Sequence, residues 1–496
     1  MSLVLACDLG ATTFRAALLN LAGQTVAEVT AAADLPGGAT ATEVDPEHWW
    51  HLLLQSAEAL AQGGLHLGLV RGVALCGLTR TQVFLDAERR VLRPSITFRD
   101  SRAVTEAKDL LGRMPSDWPE RAQVNAFHPA ARLAWLAARE PEVLKRLHAV
   151  LDPKDYLNLR LTGRMATDSV SGARLRATLA PWRGGGSLAE TIGVPPAVSS
   201  MNFLLPTEVV GTVQPDLPGA LAGLAGRPVF AGANDTWAAV AGLGALRPGL
   251  AYNISGTTEV LGALGTEVVE APGLLSVDWG AGLQQIGGPS QSGADSVPWL
   301  LGLLANGSAG PAADGLRRLL ALPRDTSPVL FLPFLQGERV PYWDPNLRGA
   351  WLGLTRRHKA TDLAWAVLEG VAFLNRTVLG NAEGALGRNV QEIRLGGGGA
   401  ASEAWCQIKA DVTNRRVVVG EAAEPGLLGC AMLAWTGLGM FSDLAAAQQA
   451  LARPARRYEP DPARRDAYEP LHAAWTAAVA ALRPGAAELA ALRSPS

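Results

Sequence analysis

Two aspartates follow apolar runs that are typical of buried strands. Asp8 comes directly after residues 2–7, which are almost all apolar, and it opens the polar loop DLGATT at 8–13. Asp235 follows the run VFAGAN at 229–234 and precedes an alanine-rich helical stretch. A carboxylate such as Asp8 can hold Mg²⁺ directly or through water. For Asp235 two interpretations stay open, a general base at the mouth of a cleft or a cap at a helix N-terminus.

Three loops rich in small residues each follow an apolar strand, and they lie at 8–13, 255–258 and 396–400. Glycine lets the backbone come close to a phosphate, so that N–H groups and hydroxyls face its oxygens. Each loop can equally be a tight turn, but four successive glycines at 396–399 favour the close approach of a ligand. Neither a Walker A pattern nor a GxGxxG opening a βαβ unit occurs, which excludes P-loop and Rossmann sites.

The elements that carry these loops occur twice. Apolar strands are predicted at 2–7, 14–19 and 25–29, and again at 250–254 and 260–264, each time with a small polar loop after the first strand. A strand at 392–395 precedes the glycine run, and helices are predicted over 361–374, after Ser402 and over 471–482. The repeat predicts a duplicated α/β fold. We expect domains at 1–245 and 246–485, with a tail at 486–496.

The composition excludes several classes of protein. The 496 residues carry 44 basic and 46 acidic side chains, a net charge of −2, which provides no field for a nucleic acid or an anionic membrane. Hydrophobic residues make up 48% of the chain, enough for a large core. The N-terminus lacks a signal-peptide pattern, and no long apolar run predicts a membrane span. The cysteines at 7, 76, 406 and 430 have no disulfide or zinc spacing, so we expect a cytoplasmic enzyme.

Longer motifs resemble the FGGY family of carbohydrate kinases, members of the actin-like ATPase superfamily. Residues 331–345, FLPFLQGERVPYWDP, are similar to the family's FLPYLxGERTPxxDP segment, and residues 349–369 fit its second signature. The first signature fits less well, because Arg132 stands where lysine is usual. Residues 151–156 and 161–163 resemble PKDYLxxxLTG. The resemblance extends from residue 4 to Tyr468, nearly the whole chain.

The resemblance implies two ribonuclease-H-like domains with ATP and a sugar in the cleft between them. It assigns Mg²⁺ to Asp8 and the role of catalytic base to Asp235. The remaining nucleotide contacts that it implies are Gly10, Thr12, Thr13 and Arg15 to phosphates from the first domain, Gly256 and Thr257 to phosphates from the second, and Gly398, Gly399 and Ala400 at the adenosine. One departure is Ala11, which replaces the first threonine of the family's DLGTTS and removes a hydroxyl near the γ-phosphate.

The acceptor is less well defined by the resemblance. The overall pattern is closest to xylulokinase-like members, yet the segment LTRT at 78–81 replaces their Gln-Met-His-Gly. The implied substrate-binding residues are Thr79, Arg80, Asp100 and Asp235. Arg80, in place of a histidine, suits a polyol with vicinal oxygens or an acidic sugar, or it pairs with Asp100 or another carboxylate.

The sequence therefore predicts an ATP- and Mg²⁺-dependent kinase acting on a terminal hydroxyl of a small ketose or polyol, with xylulose or ribulose favoured. Two alternatives are an actin-like ATPase without a sugar substrate and a degenerate sugar-binding regulatory protein. We expect no nucleic-acid or membrane partner. The oligomeric state stays open, a homodimer being one option.

Overall fold

A computed structural model describes residues 2–33, 42–64, 67–118, 120–304 and 312–492. The chain forms two compact units. The first comprises Met1–Gly242 and Glu424–Leu451, and the second comprises Leu243–Ala423 and Ala452–Ser496. The segment Glu424–Leu451, which we expected within the second domain, is part of the first unit because its apolar helix packs against the first sheet.

The first unit is built on a six-stranded sheet with helices packed on it. Elements are numbered in chain order. Its strands are β1 (Leu3–Leu9), β2 (Thr13–Asn20), β3 (Thr25–Ala32), β4 (Glu43–Val44), β5 (Val70–Gly77), β6 (Val83–Leu85), β7 (Ser95–Ile96), β8 (Ala149–Leu151), β9 (Thr167–Asp168), β10 (Phe203–Leu204), β11 (Val209–Thr212) and β12 (Pro228–Asn234). Its helices are α1 (Pro46–Gln62), α2 (Val104–Leu111), α3 (Pro129–Arg139), α4 (Pro141–Arg146), α5 (Pro153–Thr162), α6 (Ala173–Leu179), α7 (Leu188–Ile192), α8 (Asp235–Gly242), α13 (Pro425–Gly437) and α14 (Leu444–Leu451).

The second unit contains a seven-stranded sheet. Its strands are β13 (Ala251–Ser255), β14 (Glu259–Gly265), β15 (Leu275–Asp278), β16 (Gln284–Pro289), β17 (Leu330–Leu332), β18 (Ala350–Leu352), β19 (Glu392–Gly396), β20 (Arg416–Gly420) and β21 (Pro454–Tyr458). Its helices are α9 (Ser296–Leu304), α10 (Ala312–Leu320), α11 (Ala360–Leu386), α12 (Glu403–Thr413) and α15 (Pro462–Ala491).

The two large sheets share one topology. In the first the strand order is β11-β12-β5-β1-β2-β3, in the second β15-β16-β14-β13-β19-β20-β21. In the first sheet, β1 pairs antiparallel with β2 and parallel with β5, and β5 pairs parallel with β12. In the second sheet, β13 pairs antiparallel with β14 and parallel with β19, and β19 pairs parallel with β20. The predicted duplicated α/β fold of the ribonuclease-H-like, actin-like class is therefore confirmed. The central strand β1 is apolar because it is covered on both faces.

Two helices of the second unit extend further than the sequence predicted. α11 is long and apolar enough to cross a membrane by length and composition, but 72% of its apolar window is buried inside the protein, as in a core helix. α15 continues beyond the predicted 471–482 to Ala491 and buries Trp475, whose indole N–H donates to the Phe331 carbonyl at 2.9 Å. It thus occupies the first part of the expected tail, and residues 493–496 lie outside the described residues.

Candidate active site

The two aspartates singled out from the sequence lie at the same end of the first sheet, where its parallel strands finish. β5 is paired on one side with β1 and on the other with β12, all three parallel. In the register, Asp8 is opposite Cys76, and Asn234 is opposite Gly77. With strands about 4.8 Å apart, the backbones at Asp8 and Asp235 are separated by roughly 10 Å. The fold therefore brings both carboxylates to one site.

Asp235 is the first residue of α8, but it does not cap this helix. The capping bond comes from Asn234, whose side-chain Oδ1 accepts from the Trp237 N–H at 2.9 Å. The Asp235 carboxylate accepts from the N–H and the hydroxyl of Thr236, at 2.6 and 3.2 Å. Burial, assisted by the charge of Asp8, raises the pKa of Asp235 to about 7. A carboxylate with such a pKa suits a general base at neutral pH.

Asp8 carries a buried oxygen without a hydrogen-bond partner among the described residues. This oxygen is Oδ1. Burial raises the pKa of the carboxyl, opposed by the Cys76 thiol and the charge of Arg15. The other oxygen faces Gly426 in α13, where a Cβ would lie 2.6 Å from Oδ2. Unpartnered carboxylate oxygens are donors that Mg²⁺ prefers. No group of three or more potential metal ligands occurs among the described residues, as is usual where Mg²⁺ keeps phosphate and water ligands.

The loop after β1 is a compact turn. The Gly10 N–H donates to the Thr13 carbonyl at 2.9 Å, and a Cβ at Gly10 would lie 3.0 Å from that oxygen. Arg15 donates to the Thr13 hydroxyl at 3.1 Å and forms an ion pair with Glu424 at 3.3 Å. Thr12 is exposed. The four predicted phosphate contacts of the first unit therefore lie on this turn and at the start of β2, close to Asp8 in the chain.

In the second unit, the loop after β13 and the glycine run after β19 pack together. These strands are neighbours and parallel, so their carboxyl ends meet. The backbone of Gly397 has φ +83°, and a Cβ there would lie 2.5 Å from the Ser255 carbonyl oxygen. A Cβ at Gly399 would overlap the Ser255 side chain. The predicted residues Gly256 and Thr257 thus lie beside the predicted group Gly398, Gly399 and Ala400.

A buried lysine supports this pair of loops. Lys409 of α12 donates to Asn253 and Glu259 at 2.8 Å each and to Asn375 at 2.6 Å. The other oxygen of Glu259 accepts from the Ser255 hydroxyl at 2.5 Å. This network could not be predicted from the sequence, because a single lysine in a helical pattern gives no sign that it is buried.

Of the predicted substrate contacts, Thr79 and Arg80 line a small cavity of about 30 Å³ in the first unit, whereas Asp100 and Asp235 are outside its wall. Asp100 is bound by Arg102, with nitrogen–oxygen distances of 2.6 and 2.7 Å. The Arg80 carbonyl accepts from the buried Arg132 at 2.7 Å. Arg174 is a second arginine on the cavity wall, and it was not predicted from the sequence.

Comparisons with known proteins agree with this architecture. The model of the FGGY family of carbohydrate kinases, N-terminal domain, matches residues 3–242, and the C-terminal domain model matches residues 251–438. The xylulose kinase of Escherichia coli (strain K12) is 31% identical over 458 residues, covering 86% of this chain and 88% of that protein. A glycerol kinase of Geobacter sp. (strain M21) is 29% identical over 511 residues, covering 96% and 97%. The crystal structure of a xylulose kinase from Rhodospirillum rubrum superimposes with a TM-score of 0.83 at 26% identity, covering 98% and 99%.

Proposed function

Because this chain belongs to the FGGY family of carbohydrate kinases, we propose that it transfers the γ-phosphoryl group of ATP to a terminal hydroxyl of a small ketose or polyol. Xylulose is the first candidate, since the kinases of Escherichia coli and Rhodospirillum rubrum that resemble it carry that name, and ribulose is the second. The observation that carries the proposal is the placement of Asp235 and Asp8 on either side of β5.

In this reaction a sugar hydroxyl attacks the γ-phosphorus, the new oxygen–phosphorus bond forms, and the bond to the leaving ADP breaks. Asp235 would orient the hydroxyl and take its proton, since its raised pKa makes it a competent base near neutral pH. Asp8 would hold Mg²⁺, which neutralises phosphate charge when it is bound. The proposed phosphate contacts are Gly10, Thr12, Thr13, Arg15, Gly256 and Thr257, with Gly398, Gly399 and Ala400 at the adenosine.

The proposed location is the cytoplasm. All four cysteines are free and buried, as suits a reducing compartment.

The proposal is tested with Asp235→Asn, which keeps the side-chain shape and removes its basicity. Turnover, measured as ADP release with xylulose, ribulose, glycerol and tetritols, should fall by roughly 10²–10⁴-fold. Binding of ATP and sugar, measured by calorimetry, should stay within about tenfold.

Asp216→Asn is the matched control, because Asp216 is an exposed acid in the same unit, and it should retain full activity. Retention of most of the turnover by Asp235→Asn would refute the assignment of the base. Absence of ADP release with every acceptor would refute the kinase function.

A further inference from the structure

Arg456 reaches the glycine run of the second unit from the edge of the second sheet. It belongs to β21, the edge strand, and β20 separates this strand from β19, which carries the run. The Arg456 Nη2 donates to the Ala400 carbonyl at 2.7 Å, across 56 residues of sequence. Arg456 therefore connects the edge of the sheet to the loop proposed for the adenosine.

The two ends of this loop are held by different kinds of contact. Ser255 packs against the glycines at 397 and 399, so close packing fixes the first part of the loop. At its end, the Ala400 carbonyl accepts two hydrogen bonds, from the Cys406 thiol at 3.5 Å and from Arg456. The bond from Arg456 is the stronger, because it is shorter and its donor is charged. The end of the loop thus depends mainly on this one side chain.

The Arg456 side chain is accessible enough to be replaced without unfolding the second unit. It is 34% exposed, and its closest carboxylate oxygen is that of Glu403, at 3.9 Å, near the limit of an ion pair. The Glu403 side chain is itself 76% exposed, and exposed pairs of this kind contribute little to stability. Substitution of Arg456 should therefore affect the loop more than the stability of the unit.

The next residue of β21 provides a matched comparison. Successive residues of a strand point to opposite faces, so Arg456 and Tyr458 share one face and Arg457 is on the other. Tyr458 packs against the apolar cluster that contains Ala400, which identifies the face directed at the loop. Arg457 is exposed. It thus has the same charge and strand as Arg456 but faces away from Ala400.

We propose that Arg456 is a positioning residue of the nucleotide site, which sets the affinity for the adenosine part of ATP by holding the Ala400 carbonyl. The inference rests on the proposed kinase function and adds a residue to its nucleotide site. Arg456 keeps the end of the loop in one conformation before the nucleotide arrives. A preorganised loop loses less conformational freedom on binding, so the affinity is higher. The proposed phosphate contacts belong to other loops and should not depend on Arg456.

The test begins with Arg456→Met, which keeps an unbranched apolar stem and removes the donors. The KM for ATP should rise about 5–20-fold, as expected for one partly exposed charge-assisted hydrogen bond, and kcat should stay within about twofold. Arg456→Lys retains a charged N–H donor and should bring the KM to within about threefold of the unmodified protein. Arg457→Met is the control, and its KM should stay within about twofold, as is usual for an exposed position.

Two nucleotide-site probes distinguish positioning of the adenosine from general damage. Inorganic tripolyphosphate carries the phosphates of ATP without the adenosine, so its inhibition constant against ATP should be the same in Arg456→Met and in the unmodified protein. The Kd of ADP, measured by calorimetry, should rise by the same factor as the KM for ATP. An equal loss for tripolyphosphate and ADP would overturn the inference, because the whole site would then be disturbed.

The ADP titration needs no turnover, so it separates this inference from the kinase function. If no acceptor is phosphorylated, the kinase function is refuted, but a Kd of ADP that depends on Arg456 still supports the inference. Normal turnover with unchanged ATP and ADP affinities in Arg456→Met would overturn the inference and leave the kinase function intact. Failure of the unmodified protein to bind ADP would overturn both.

Discussion

The Asp8 carboxylate can occupy its position because residue 426 is a glycine and has no Cβ. Gly426 is the second residue of α13, and a Cβ there would lie 2.6 Å from Asp8 Oδ2. The atom in the way is the end of a side chain, so the carboxylate can rotate to avoid it. A larger residue at 426 would therefore change the chemistry of the site more than the stability of the fold.

Gly426→Ala should lower kcat by at least tenfold, because a displacement of about 1 Å at a catalytic group can cost that much or more. The melting temperature should stay the same or rise, since alanine is favoured over glycine in a helix. Gly485→Ala in α15 is the control, because a Cβ there meets nothing within 4 Å, and it should change neither kcat nor Mg²⁺ dependence. Normal kcat in Gly426→Ala would show that Asp8 tolerates the rotation.

The sequence gives different amounts of information about different residues. Asp8 and Asp235 were recognisable because each follows an apolar strand and matches a family motif. The residue that caps α8 was not recognisable, since Asn234 and Asp235 are both good capping residues and only the backbone geometry selects one of them. Arg174 could not be recognised because α6 is a short helix, and a lone arginine on such a helix is usually solvated.

At the scale of elements, buried lysines anchor corresponding helices in the two units. In the second unit, Lys409 of α12 reaches Glu259. In the first, Lys154 of α5 pairs with Asp155 and Asp168 and donates to the Ala231 carbonyl of β12 at 3.1 Å. In the chain, α5 lies between the parallel strands β5 and β12, and α12 lies between the parallel strands β19 and β20. Each lysine thus connects its helix to a strand or loop that carries candidate site residues.

Lys409→Met should destabilise the second unit by about 3–5 kcal/mol, because it leaves the Glu259 carboxylate buried without its cation. It should also weaken ATP binding, since Glu259 holds Ser255 at the start of the second phosphate loop. Denaturant unfolding and calorimetry provide the two measurements.

The double variant Lys409→Met with Glu259→Gln removes both charges and should recover at least half of the lost stability. If the double variant is as unstable as the sum of both single variants, the two residues do not interact and the assignment is wrong.

At the scale of the whole molecule, the first unit is discontinuous in sequence. α13 packs closely against α8, since a Cβ at Gly242 or Gly429 would overlap backbone atoms of the other helix. The Trp435 indole of α13 donates to the Asn20 carbonyl of β2 at 3.2 Å. The repeated strands were visible in the sequence, but the return of the chain to the first unit at residue 424 was not. α13 is apolar on all sides, so no amphipathic stripe indicates which sheet it covers.

The fragment 1–242 should therefore fail to form a stable first unit. We expect it to aggregate or to melt without cooperativity, because the surface covered by α13 is exposed. The same fragment joined through a flexible linker to residues 424–451 should melt cooperatively, as followed by circular dichroism. A cooperative transition of 1–242 alone, at the temperature of the linked form, would contradict the role of α13.

The same return of the chain sets an order of events during synthesis on the ribosome. The first unit cannot be completed when residue 242 has been translated, because its last helices end at Leu451, about two hundred residues later. At 5–20 residues per second, this delay is about 10 to 40 s. During that time the nascent first unit exposes the apolar surface that α13 will cover, which is the kind of surface that chaperones bind. By then most of the second unit has left the ribosome. The second unit therefore folds while the first unit is still incomplete.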